Sequence, residues 1–152
     1  MNRRHVLTGT STMFVAALIG CARSSDVPAT VATDAGLIAS GLAGSFKGVS
    51  AVPGVVVTAL TDLTSAAKAL ADADTIASAQ PLAQRMEADV NAVVAAVGAL
   101  PLPANMASAI QAAQVLLVVI EAGVNLAVTA SGARGAMTPE QARLVLAAAA
   151  AR

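Results

Sequence analysis

One thiol, one imidazole and nine carboxylates are what this 152-residue sequence offers to chemistry. The thiol is Cys21 and the imidazole is His5. Metal centres built on sulfur or imidazole take several such ligands at set spacings, and a single Cys with a single His makes none. Among the carboxylates, Asp72 and Asp74 make a close pair, but no calcium-loop spacing follows them. Glu87 and Asp89 are two residues apart and belong to different faces of a helix. Both pairs read as solvated. Ser45-Phe46-Lys47 is not the Ser-x-x-Lys arrangement of an activated serine. The glycines from Gly41 to Gly48 lack the Gly-Lys-Ser/Thr ending of a phosphate loop. Glu121 is the one carboxylate that stands out, because no other charged residue lies between Val90 and Arg134. Such an isolated charge could bind a partner or a proton, but the helical period places it with Gln114 and Asn125 on a polar stripe facing water. No catalytic residue, metal ligand or cofactor site is expected.

The remaining candidate is Cys21, and its setting is informative. The chain opens Met1-Asn2-Arg3-Arg4-His5, carries no charge from Val6 to Gly20, and is strongly apolar from Met13 to Ile19. A basic start, a short apolar run and small residues at the exit make a secretory signal. The run is shorter than the roughly 20 apolar residues that span a bilayer. Cleavage would remove His5 and with it the only imidazole available for acid–base work.

The segment Leu18-Ile19-Gly20-Cys21 resembles the signal of bacterial lipoproteins: aliphatic, aliphatic or small, small, cysteine. That resemblance implies that the Cys21 thiol receives a diacylglycerol, that residues 1–20 are cut away, and that the new N-terminus is acylated too. Two or more acyl chains anchor a protein stably, where one holds it only marginally. The thiol would then be neither a nucleophile nor a disulfide partner. Arg3-Arg4 followed by Val6-Leu7 also resembles a twin-arginine export signal, although Val6 stands where phenylalanine is commonest and Thr8 where lysine is frequent. Export by the ordinary secretory route and by the twin-arginine route both remain open. Ala22 follows the cysteine, where lipoproteins kept in the inner membrane often have aspartate, so the resemblance favours the outer membrane in a Gram-negative cell. It covers only the first 21 residues.

Beyond the signal, residues 21–32 read as a lipid-anchored tether and 33–152 as one domain, large enough to bury a core. Without Arg3 and Arg4 the chain has seven Lys/Arg against nine Asp/Glu. It offers no basic patch, so nucleic acid and anionic lipid are not expected as partners. Hydrophobic residues make up 57% of the sequence, with no Trp or Tyr and only two Phe. Alanine dominates, and alanine favours helices over strands. The fold class is all-α.

Five helices are predicted. The first spans about 34–48, capped by Thr33 or Asp34. It has Ile38, Leu42, Phe46 and Val49 on one face and is weakened by four glycines, of which Gly44 and Gly48 form a small-xxx-small pair. The second covers about 54–72 after Pro53, with Val56, Leu60, Leu63, Ala67 and Leu70 inward. The third covers about 78–99, capped by Ser78 so that Pro81 falls in its first turn; a start at Thr75 would instead put Pro81 inside the helix and kink it. Leu100-Pro101-Leu102-Pro103 turns the chain into the fourth and most apolar helix, about 104–130, whose wide apolar surface suits the centre of a bundle or a membrane. After a break at 131–136, Thr138-Pro139-Glu140-Gln141 starts a short last helix. The expected architecture is an alanine-rich antiparallel bundle of four main helices plus that short C-terminal one.

The function that follows is a lipid-anchored cell-envelope protein facing the periplasm. It would have a structural or protein-interaction role, with the membrane and another envelope protein as partners. A membrane-inserting hairpin of helices three and four, about 78–100 and 104–130, is the alternative, since no charge lies between Val90 and Ile120. A carrier opening around an apolar ligand is a third and weaker one.

Overall fold

The computed structural model describes residues 26–98, 100–126 and 137–152. These form five helices and, among the described residues, no strand: α1 (Ala29–Phe46), α2 (Gly54–Ala71), α3 (Ile76–Val97), α4 (Ala104–Gly123) and α5 (Pro139–Ala150).

Three of the five start the same way. Pro28, Pro53 and Pro103 each stand immediately before a helix, with φ near −55° and ψ between 135° and 144°. The carbonyl of each accepts the N–H three residues on, at 2.9–3.0 Å. Proline has no N–H to lose at a helix start and its fixed φ leads into the first turn. α1 therefore begins at Ala29, five residues before the expected start, and residues 29–32 belong to it rather than to a tether. The reason is an apolar face that runs on without a break: Val27, Val31, Ala35, Ile38 and Leu42 are all buried. Thr33 and Asp34 lie inside the helix and do not cap it; the Thr33 hydroxyl donates back to the Ala29 carbonyl.

The other two helices start on side chains. In α5 the capping box is present as the sequence implies: Gln141 N–H donates to Thr138 Oγ1 at 3.3 Å and Thr138 N–H to Gln141 Oε1 at 2.9 Å. α3 has the same device one turn earlier than expected, built by Thr75 and Ser78. Pro81 thus sits inside α3, where it leaves the Ala77 carbonyl without its helical N–H donor.

α4 is shorter than its apolar pattern. Asn125 takes a left-handed conformation, φ 57°. Leu126 N–H then donates to the Glu121 carbonyl at 2.8 Å and Asn125 N–H to the Ala122 carbonyl at 3.2 Å. This is a Schellman ending with asparagine in the position usually held by glycine. Val128, Thr129 and the break at 131–136 lie outside the described residues.

α1 packs against α2, α4 and α5; α4 packs against α1, α3 and α5; α2 packs against α3. The central position is accordingly shared by α1 and α4, where the sequence suggested α4 alone. Alanines such as Ala35, Ala66, Ala79, Ala83, Ala112 and Ala142 fill contact positions, so the helix axes can come close. α1 and α5 come close together. A Cβ on Gly41 would stand 2.6–2.9 Å from Leu146, and one on Gly44 would overlap the Ala149 carbonyl. The small-residue pair is therefore Gly41 with Gly44. Gly48 is past the helix end, in a turn with φ 85°.

Candidate functional site

The residues on which the lipoprotein resemblance rests, Arg3, Arg4, Leu18, Ile19, Gly20 and Cys21, lie outside the described residues. His5 does too. Within the body, the polar residues fall into three settings.

The first is an ion pair that the periodicity did not reveal. Asp34 is fully buried on the core face of α1. Arg143 of α5 donates to it twice, Nε to Oδ1 at 2.7 Å and a terminal nitrogen to Oδ2 at 2.8 Å. This parallel fork is the strong, directional form of an arginine–carboxylate contact. It fixes α5 along α1, with Gly41 against Leu146 and Gly44 against Ala149 further on. The sequence did hold a signal: Asp34 lies between Val31 and Ile38 on the apolar stripe, and a carboxylate there needs a partner. Asp34 bonding pushes the Arg143 guanidinium further above its ordinary value, so it stays charged.

The second concerns the acidic residues singled out above. Glu121 is buried, not water-facing; only 1% of it is exposed. It is a partnered residue. The expectation failed because α4 is covered on more sides than one solvent stripe allows: Gln114 is half-buried and Asn125 exposed, but the turn between them packs inward. Asp72 and Asp74 are exposed at the end of α2, and the Asp74 carbonyl accepts the Asp26 N–H at 3.0 Å. Glu87 and Asp89 are half-buried rather than fully solvated. Burial, and then repulsion from Asp62, push the Asp89 carboxyl above its ordinary value, with Arg85 pulling the other way. Its Oδ2 is enclosed without a hydrogen-bond partner. Arg85 instead reaches Asp62 of α2 at 3.3 Å. Among the described residues, no three of His, Cys, Asp and Glu come together as a metal site would require.

The third setting is a surface. α1 and α2 leave a trough of about 440 Å³ between them, floored by Gly36, Ala39, Ala43 and Ala67 and edged by Ser40 and Lys68. At Ala43 and Thr64 it meets a second trough of about 350 Å³, which holds Lys47, Val57 and Leu60. A smaller pocket of about 120 Å³ lies where the two proline-containing turns meet, lined by Phe46, Pro53, Pro101 and Met106.

The chain matches no family model, no curated protein and no solved structure.

Two described helices are long and apolar enough to cross a membrane, α2 and α4. α3 is not one of them; it carries Arg85, Glu87 and Asp89. The apolar stretch of α4 is 56% buried inside the fold, which is how the core helix of a water-soluble bundle also looks.

Proposed function

We propose that the protein is a lipid-anchored component of a bacterial cell envelope, held by Cys21, with a structural or protein-interaction role and no catalytic chemistry. Its body is an antiparallel bundle of the four main helices α1–α4, with α5 laid along α1 and α4. One observation carries this reading: the only cysteine of the chain closes an apolar run in the order Leu18-Ile19-Gly20-Cys21, behind Arg3 and Arg4. The early start of α1 adds a dimension to it. Pro28 is the seventh residue after Cys21, so the bundle stands at most about 25 Å from the lipid it is tied to. In a Gram-negative cell, Ala22 behind the cysteine favours the outer membrane, by the same resemblance.

The hairpin alternative is less well supported. It needs α3 and α4 to insert together, and the charges of α3 count against it. The bidentate Asp34–Arg143 fork and the burial of α4 against α1 and α5 would also have to be given up.

Labelling with radioactive palmitate tests the anchor. The native chain should take up label and Cys21→Ser should not. Mass spectrometry of the purified protein that returned an intact Met1, or an unmodified sulfur at a new N-terminus, would overturn the reading.

A further inference from the structure

We infer that the end of the bundle where the α1–α2 and α3–α4 turns meet dips into the bilayer that holds Cys21, as a second and peripheral contact with its hydrocarbon. Which bilayer is met rests on reading Cys21 as the anchor; the contact itself does not. Five large apolar side chains are exposed among the described residues, and four of them, Val49, Val55, Val57 and Leu100, stand at this end. Exposed apolar side chains gathered in one place mark a surface that something covers. Between the two turns lies the pocket of about 120 Å³, and every residue lining it is apolar. No charged residue occurs from Gly48 to Thr61 or from Val90 to Ile120, so the parts of α2, α3 and α4 next to the turns are uncharged. α2 is apolar enough to cross a membrane, yet only 33% of it is buried in the fold, against 56% of α4. The exposed acids Asp26, Asp72 and Asp74 lie at the opposite end, where the chain leaves toward Cys21.

Two properties select lipid over a protein partner. Hydrocarbon offers no acceptor, so a segment that enters it must have its N–H groups already bonded or missing. Pro53, Pro101 and Pro103 have none. The Val49 and Leu100 N–H groups donate within their own turns, to the Phe46 and Val97 carbonyls at 3.2 and 2.9 Å. Protein contacts, by contrast, are centred on Trp, Tyr and Arg. The chain has no Trp or Tyr, and no arginine lines the pocket or the adjoining trough. Lys47, beside Phe46 and Val52 in that trough, has a stem long enough to keep its charge in water.

Reach agrees with this. α1 has 18 residues and is about 27 Å long, and Cys21 stands at most about 25 Å from Pro28 at its head. A bundle lying along the surface thus brings its far end and its anchor to the same bilayer.

The test is fluorescence quenching by brominated acyl chains in vesicles of phosphatidylcholine, a neutral lipid. The full chain carries Cys21→Ser, which leaves it without a thiol. One new cysteine then takes a fluorophore: Val49→Cys, Leu100→Cys, Ala88→Cys at an exposed position in the middle of α3, or Asp74→Cys at the opposite end. Residues 1–20 are the same in all four chains, so differences between labels report on the body. Labels at 49 and 100 should be quenched at least about twofold, and those at 88 and 74 should be unchanged. Leu100→Asp added to the Val49→Cys chain should abolish its quenching, with circular dichroism showing that the helices are kept; Val49→Asp in the Leu100→Cys chain is the reciprocal check. No quenching at 49 and 100 would overturn the inference. So would equal quenching at 88, the mark of α3 and α4 entering as a hairpin, or quenching indifferent to the added aspartate. A disulfide between two Val49→Cys copies that forms without vesicles would overturn it in favour of a second copy. The Cys21→Ser chain cannot be acylated, so this result stands apart from palmitate labelling of the native chain, and failure of one reading is not mistaken for failure of the other.

Discussion

Asp34 and Arg143, 109 residues apart in the chain, are joined by two hydrogen bonds of 2.7 and 2.8 Å, one to each carboxylate oxygen. The two partners are not placed alike: the Asp34 side chain is 1% exposed and that of Arg143 32%. Removing the arginine strands a buried carboxylate, whereas removing the acid leaves a guanidinium that can turn to water.

The two single variants should therefore differ. Arg143→Met is expected to destabilise the fold by about 3–5 kcal/mol, the range for an uncompensated buried charge. Asp34→Asn should be milder. The joint change to Asp34→Leu with Arg143→Met should recover most of the loss, because apolar pairs of similar volume often replace buried ion pairs without harm. Urea unfolding of the four proteins measures this; equal losses in the two single variants would contradict it.

Two glycines of the same helix should respond in opposite directions. Gly44→Ala forces a methyl group into the Ala149 carbonyl, and backbone cannot rotate away as a side chain can. A loss of about 1–3 kcal/mol is expected, as for other overpacked sites. Gly36→Ala meets only open space and should gain up to about 1 kcal/mol from helix propensity. Thermal melts of the two variants against the parent give the signs directly.

The fold class was legible in the sequence because alanine and the spacing of Val, Leu and Ile report the helical period directly. The last helix was legible to the residue, since Thr138, Pro139 and Gln141 form a local device that needs no tertiary partner. Failures came where a local signal competed with a distant one. Asp34 suits a helix cap as well as a core ion pair, and only Arg143 decides between them. Glu121 fits a polar stripe until α1 and α5 cover α4. The trough was invisible because it depends on which faces α1 and α2 leave unfilled, and small residues mark both a tight contact and an empty one.

Acidity should act through Asp89. Its folded-state value is raised above the ordinary 3.8 by burial and by Asp62. The folded state therefore favours the protonated acid: this contribution is full below about pH 3.8, fades as pH rises through the folded value, and leaves a penalty at neutral pH. Asp89→Asn, which removes the charge and keeps the shape, should melt higher than the parent at pH 7. The advantage should shrink as the pH falls toward 4. Melting curves that stay the same distance apart at both pH values would show that Asp89 does not titrate between them.

The end of α4 supplies the last prediction. Asn125 holds φ at 57°, a region that β-branched residues avoid and that glycine enters without strain. Its turn also presents the Val124 carbonyl, which accepts a bond from Gln80 Nε2 of α3 at 3.0 Å. Asn125→Gly should keep this ending and be neutral or slightly stabilising. Asn125→Val should cost about 1–2 kcal/mol, the strain of a left-handed residue with a branched side chain. Because the Gln80 bond depends on the same turn, Gln80→Ala should cost less in the Asn125→Val background than in the parent. A double-mutant cycle measures that difference, and strict additivity would mean that the turn and the α3–α4 contact are independent.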